Sequence, residues 1–299
     1  KKKWKILKIV LGMPAFNEGE KLENIINEIK NFVDEVIVCN DGSTDSTGLI
    51  ASKMGTMVIN HEKNLGYGQA IKSIFSKAKE IEADILVTFD ADGQHRSQDI
   101  KSVIQPILDD EADIVIGSRF LENNVDMPKY RKLGVKTITN LANISSKVKL
   151  SDSQSGFRSY NKKTLSEINL IEKGMGISTE ILIKANKKKL RIKEVPIKIL
   201  YQGKTSTHNP ISHGVSVVLS TVKFLSTEHP ISFYGIPGLI LLGIGLGFVT
   251  WTIQYFTEFG VFHPLLALVA IGLTLFGLMC VLTSIILFSL VHIIREQKE

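Results

Sequence analysis

Apolar positions in the first 230 residues form short runs that alternate with stretches of helical spacing. KILKIVLG, residues 5–12, is a β-branched run ending in Gly12. Leu22, Ile25, Ile26, Ile29 and Val33 then recur three and four apart, as one face of a helix requires. EVIVCN (35–40) and MVIN (57–60) read as a second and a third strand. Ala70, Ile71, Ile74, Phe75 and Ala78 define the next helix face. DILVTF (84–89) is a fourth strand, Ile100, Val103, Ile104, Ile107 and Leu108 mark a third clear helix, and DIVIGS (113–118) is a fifth strand. This alternation predicts an α/β fold with a mainly parallel sheet covered on both faces. Such sheets bind ligands beyond the carboxyl ends of their strands.

The pattern changes at Pro230. From there no Lys, Arg or Asp occurs until Arg295, and Glu258 is the only acid in between. About twenty apolar residues cross a bilayer core, so spans are expected at about 233–256 and 265–291. The chain thus divides into a domain over 1–228 and a two-helix transmembrane anchor over 229–299. Gly243 and Gly247 stand at the small-xxx-small spacing that permits close helix packing, although ordinary membrane-helix composition gives the same glycines. The TEFGVFHP loop has no Lys or Arg, whereas basic residues precede the first span and follow the second. The positive-inside rule then predicts a multi-pass cell-membrane protein with its large domain cytoplasmic. Neither span carries a central ionisable residue, so they read as an anchor, with homo-oligomer contact as a second use.

The net charge of +6 belongs almost wholly to the first 230 residues. No interleaving of basic and aromatic residues suggests nucleic acid, and with an anchor following, the charge points to an anionic lipid. The two cysteines, Cys39 and Cys280, have no CxxC partner, which argues against a disulfide or a zinc site. The basic N-terminus leads into an apolar stretch too short for a secretion signal.

The unusual polar residues fall where the strands end. MPAFNE follows strand one, NDGSTDST strand two, NLGYGQA strand three and DADGQH strand four. No GxGxxG or GxxxxGK[ST] is present, so neither a dinucleotide site nor a P-loop is supported. Asp90 and Asp92, two apart on leaving a strand, can share a hard divalent cation with substrate phosphates. A solvated turn carries such a pair equally well when it stands alone. Here three other loops of the same edge accompany it. Asp41 can accept hydrogen bonds from a base or ribose, or belong to a helix cap, a task open also to Asp45 and Ser46.

Taken in order, MPAFNE, NDGSTDST, NLGYGQA, DADGQH, GSRF and SDSQSGFR closely resemble family 2 glycosyltransferases of GT-A fold. The nearest branch is that of the dolichyl-phosphate mannose, glucose and N-acetylglucosamine synthases and their undecaprenyl-phosphate relatives. The resemblance covers roughly residues 6–225. It implies that Pro14, Ala15, Phe16, Glu18 and Asp41 line the nucleotide, with the Asp90-Ala91-Asp92 turn and Lys204 completing the donor site. It implies that Asp90, Asp92 and Gln94 hold Mg²⁺ or Mn²⁺ against the diphosphate. Arg119 and Arg131 would face the acceptor phosphate, and Gln154 and Arg158 would close the sugar end. The mannose branch usually has an arginine and a lysine around a glycine in the last loop before the membrane. This chain has Leu200 and Ser206 there, in ILYQGKTST, which shifts the expected donor from GDP-mannose to a UDP-sugar carrying glucose or N-acetylglucosamine.

Two further stretches fit a lipid-phosphate acceptor. Residues 127–151 hold six Lys or Arg and no acid, with Val135, Ile138, Leu141, Ile144 and Val148 on one helix side. Val215, Val218, Leu219, Val222 and Leu225 repeat the pattern. Amphipathic helices near 128–150 and 212–226 can lie in a headgroup layer or pack on the domain. A phosphate acceptor is already largely anionic at pH 7, so a strong general base is less needed than for a hydroxyl. Asp152 is the candidate if one is used. The competing readings are a hydroxyl lipid acceptor on the same fold and a silent membrane adaptor; DADGQ argues against the second.

Overall fold

The structure, a computed structural model, describes residues 7–121, 135–136, 139–140, 143, 149–199, 222, 226 and 230–296. Two compact units divide at Thr221 and Val222.

The first unit is a seven-stranded sheet. Its strands are β1 (Ile9–Ala15), β2 (Glu35–Asn40), β3 (Met57–Asn60), β4 (Ile85–Thr88), β5 (Ile114–Ser118), β6 (Arg158–Asn161) and β7 (Ile192–Pro196), in the order β3-β2-β1-β4-β6-β5-β7. Every neighbouring pair is parallel except those of β6, which runs antiparallel to β4 and β5. The helices are α1 (Gly19–Ile29), α2 (Thr47–Lys53), α3 (Tyr67–Glu80), α4 (Asp99–Leu108), α5 (Lys162–Glu167) and α6 (Ile177–Lys187).

Strands buried on both faces need apolar side chains in both directions, hence the continuous runs of β1, β2, β4 and β5. Successive residues of β1 feed different cores. Val10 joins Ile37, Leu86 and Ile116 beneath Ile71, Ile74 and Phe75 of α3. Leu11 and Met13 join Val38 and Val87 beneath Leu22 and Ile26 of α1 and Val103 of α4.

β1 runs three residues beyond Gly12, through Pro14. Its pairing with β4 stops at Gly12, while its pairing with β2 continues to Ala15. Pro14 therefore sits where the strand has a partner on one side only, which a residue without an N–H tolerates. The antiparallel β6 places the 151–157 loop at the edge where β4 and β5 end, since Arg158 pairs with both Thr88 and Ile116.

The second unit is a helical hairpin. A π-helical turn (Ile231–Gly235) leads into α7 (Ile236–Phe259), and α8 covers Pro264–Glu296. Ile231–Phe259 and Pro264–Val291 are long and apolar enough to cross a membrane, with mean hydropathies of 1.9 and 2.7. The helices meet at glycines, but not at the expected pair. A Cβ on Gly245 would lie 2.6 Å from the Thr274 nitrogen, one on Gly277 2.5 Å from the Leu242 nitrogen, and one on Gly238 2.8 Å from the Cys280 Cβ; Gly243 and Gly247 meet nothing within 4 Å. A helix turns by about 100° per residue. Gly238 thus shares a face with Gly245, and Gly243 and Gly247 lie nearly opposite.

Candidate functional site

The ends of β1 and β2 are fastened together by side chains of both loops. Pro14 and Ala15 close β1, and Asn17 takes a left-handed φ of 57°. Its amide donates to Ser43 Oγ (3.0 Å) and its side-chain oxygen accepts from the Thr44 amide (2.8 Å). Glu18 N donates to Thr47 Oγ1 (2.9 Å), and Gly19 N to Asp45 Oδ2 (3.0 Å). Asp45 also accepts from the Thr47 amide at the start of α2 (2.9 Å), so of the three candidates it is Asp45 whose side chain bonds the helix start. Phe16 and Glu18 stand half-buried on this rim.

Asp41 lies 4% exposed just below. Its carboxylate accepts from the amides of Leu65 (3.0 Å) and Gly66 (2.9 Å) and pairs with His61 Nδ1 (2.6 Å). The Asp41 side chain thus fixes the β3–α3 loop.

The loop after β4 presents Asp90 and Asp92 with the buried Ala91 between them. Asp90 Oδ1 accepts from the Tyr67 hydroxyl (3.3 Å), and its Oδ2 lies 3.3 Å from His95 Nε2. Asp92 Oδ1 accepts the Gln94 amide (2.9 Å), and Lys21 Nζ donates to the Asp92 carbonyl (3.1 Å). Gly93 turns the loop at φ 75°. Burial and the neighbouring Asp90 charge push the Asp92 carboxyl above the usual carboxylate range. Burial works the same way on Asp90, but the His95 and Tyr67 bonds and the Arg119 charge outweigh it and hold that carboxyl low. Burial also raises Glu18, with Asp92 adding to the effect and Lys21 opposing it.

Two neighbouring carboxylates in one turn, one of them raised by the charge of the other, form a hard-oxygen pair whose charge a divalent cation would offset. Among the described residues no group of three Asp, Glu, His or Cys makes a complete cage. Such an ion would therefore draw further ligands from substrate phosphates and water, as Mg²⁺ sites commonly do. The donor set fits Mg²⁺ or Mn²⁺. Gln94, 7% exposed, sits in the same turn.

Arg119 leaves β5 and meets Asp152 from the loop before β6. Its Nε and Nη2 donate to the two carboxylate oxygens at 2.6 and 2.7 Å, and its amide adds a third bond at 3.2 Å. Asp152 is fully buried; burial disfavours its charge, but Arg119 outweighs that and holds the carboxyl below the usual range. Glu194 of β7 braces the loop from behind, accepting the amides of Ser151 (2.8 Å) and Asp152 (2.9 Å). Gln154 follows, its amide donating to Asp152 Oδ1 (3.3 Å). Asp152 is thus engaged as the partner of Arg119, and a proton could reach it only by displacing a bidentate guanidinium.

Arg158, expected at the sugar end, is 1% exposed. Its guanidinium donates to the carbonyls of Ser155 (2.8 Å), Ser178 (3.2 Å) and Ser153 (2.6 Å). It builds the 153–156 loop from beneath. Arg131, Lys204, Leu200, Ser206 and the 212–221 stretch lie outside the described residues, as does most of 128–150. Within the latter, Thr139 Oγ1 accepts the Ser153 amide (3.2 Å), and Asn143 exchanges two bonds with Leu150 (2.8 and 3.0 Å).

A sequence profile of the family described as Glycosyl transferase family 2 matches residues 11–168, more than half of the chain. The chain belongs to glycosyl transferase family 2. It is 35% identical over 233 residues to the UDP-N-acetylglucosamine–dolichyl-phosphate N-acetylglucosaminyltransferase of Methanococcus voltae, covering 71% of this chain and 91% of that protein. It is 33% identical over 202 residues to the dolichol-phosphate mannosyltransferase of Pyrococcus furiosus, covering 64% of this chain and 56% of that one. Its fold matches glucosyl-3-phosphoglycerate synthase of Mycobacterium tuberculosis, solved with Mn²⁺ and UDP-glucose, with a TM-score of 0.59 at 21% identity over 74% of this chain and 79% of that one.

In this glycosyltransferase several site residues were not singled out from the sequence. Tyr67, His95 and Gly156 surround Asp90, and a Cβ on Gly156 would lie 2.6 Å from Asp90 Oδ2. All three occur inside the motifs NLGYGQA, DADGQH and SDSQSGFR, but no spacing rule brings the three motifs to one carboxylate. Lys21 and Glu194 lie outside every motif, and nothing local marks them.

Proposed function

We propose that this glycosyltransferase moves a sugar from a nucleotide-sugar donor to a polyprenyl phosphate, such as dolichyl phosphate, in a divalent-metal-dependent, inverting reaction at the cytoplasmic face of the cell membrane. The observation that carries this reading is that one loop meets both groups: Gly156 lies against Asp90, where a Cβ would be 2.6 Å from Oδ2, and Asp152, four residues before it, holds Arg119 through two bonds. One side of that arrangement suits a cation and diphosphate, the other an anionic acceptor. The acceptor class is supported by the dolichyl-phosphate activity named for the Methanococcus relative and by two helices of spanning length on this chain.

Asp90, Asp92 and Gln94 would hold Mg²⁺ or Mn²⁺, which when bound supplies Lewis-acid stabilisation of the departing nucleoside diphosphate. Pro14, Ala15, Phe16 and Glu18, on the rim fastened to the Asp41–Asp45 loop, would line the nucleotide. Arg119 is held by Asp152 and therefore acts by orientation more than by net charge; with Arg131 it would align the acceptor phosphate. The acceptor's own oxygen attacks the anomeric carbon directly, so no general base is required and Asp152 stays ionised beside Arg119. Gln154 would close the sugar end, and Lys204 would support the donor phosphates.

A UDP-sugar bearing N-acetylglucosamine or glucose is favoured by Leu200 and Ser206 and by the Methanococcus relative. The mannosyltransferase name of the Pyrococcus relative keeps GDP-mannose as the second reading. The test is Asp92→Asn in the full chain in detergent, with polyprenyl phosphate and a labelled nucleotide-sugar. Transfer is expected to fall at least a hundredfold, about 2.7 kcal/mol of transition-state stabilisation, with folding and membrane insertion intact. Activity within a few-fold of wild type at saturating Mg²⁺ or Mn²⁺ would sink the metal assignment.

A further inference from the structure

Asp90 is gripped from both sides by groups outside the paired-carboxylate pattern. Tyr67, at the start of α3, reaches one oxygen and His95 the other, each at 3.3 Å. The His95 ring is 6% exposed and sits between two aromatic rings, with centroids 5.4 Å from Phe89 and 5.1 Å from Phe157. Among the described residues its Nδ1 is buried without a hydrogen-bond partner. That pattern selects one tautomer, with the proton on Nε2 and directed at Asp90 Oδ2, because a proton on Nδ1 would be a buried donor with no acceptor. The backbone of the residue is fixed as well: His95 forms an isolated antiparallel bridge with Ile199, and the next residue back, Lys198, donates its amide to Asp99 Oδ2 (3.0 Å).

An aromatic slot that is apolar on both faces would accept a phenylalanine. A histidine there, with one nitrogen left unpaired, is explained by what its other nitrogen does. We propose that His95 is a positioning residue for the metal loop: its Nε2–H donates to Asp90 and fixes the direction of the carboxylate before any cation arrives, with Tyr67 as the opposing stop. This rests on the metal reading given above. Hydrogen-bonded supports of ligating carboxylates typically change metal affinity by about ten- to a hundredfold when removed.

Two substitutions separate positioning from packing. His95→Phe keeps the ring between Phe89 and Phe157 and removes the donor. His95→Gln keeps an N–H donor at similar reach and removes the ring. Mn²⁺ is titrated into the full chain in detergent with saturating UDP, free Mn²⁺ being read by electron paramagnetic resonance, and the melting temperature of each variant is taken alongside. Positioning predicts a ten- to hundredfold weaker Mn²⁺ affinity for His95→Phe at a wild-type melting temperature, with most of the affinity returning in His95→Gln. Wild-type affinity in His95→Phe, or losses in both variants that simply follow their melting temperatures, would overturn it. If wild type and Asp92→Asn bind Mn²⁺ equally, the underlying metal reading fails instead, and the positioning role falls with it.

Discussion

Asp152 shows how much of the site is decided by single side chains met from a distance. Asp92 and Asp90 stand two apart and were legible as a pair. The Arg119–Asp152 pair spans 33 residues, and nothing in either motif announces it. Arg158 was equally opaque, since a basic residue in a polar loop motif gives no sign that three carbonyls will enclose it. The ion pair has a measurable pH signature. The folded-state pKa of Asp152 lies below its unfolded value, so its contribution to stability is present above the unfolded value of about 3.9 and is lost as pH falls through the folded one. Asp152→Asn removes that ion pair at every pH, a loss on the order of 3–5 kcal/mol at neutral pH. Thermal unfolding of both proteins in detergent should therefore differ widely at pH 7, and the gap should narrow below about pH 3.9. A gap of equal size in acid would show that the pair is not what holds the loop.

At the scale of elements, the first five strands and three of the helices followed from apolar periodicity, because strands covered on both faces and helices covered on one write their burial into the sequence. β6 and β7 did not. RSYN and IKEVP are short and carry charges, and β6 is held by its neighbours rather than by an apolar run of its own. Its reversed direction is what delivers the 151–157 loop, with Asp152, Gln154 and Gly156, to the edge that carries Asp90 and Asp92. In the hairpin, spacing alone pointed to Gly243 and Gly247, while the contact falls on Gly238, Gly245 and Gly277. Gly245→Leu should thus overpack the interface and destabilise the hairpin by roughly 1–3 kcal/mol, whereas Gly243→Leu should stay within about 0.5 kcal/mol. Comparing the detergent melting temperatures of the two variants checks this; equal shifts would mean that the helices do not meet at Gly245.

For the whole molecule, the charge distribution carries the orientation proposal. The loop between α7 and α8 has no Lys or Arg, and the basic residues flank the pair of helices on the other side. In intact cells a membrane-impermeant thiol reagent should label Gly260→Cys and spare Gln297→Cys. Labelling of the second with protection of the first would put the catalytic domain outside and remove the cytoplasmic nucleotide-sugar from its reach.

The proposed reaction stands or falls with its acceptor, a lipid phosphate rather than a hydroxyl. Its most direct measurement uses the purified full chain with Mg²⁺ or Mn²⁺ and labelled UDP-N-acetylglucosamine, UDP-glucose and GDP-mannose, each offered in turn with polyprenyl phosphate and with the corresponding free polyprenol. Lipid-linked label is expected from a UDP-sugar with the phosphate only, released as free sugar by mild acid, and no label without metal. Label on the polyprenol, or no lipid-linked sugar from any donor with the phosphate, would contradict it.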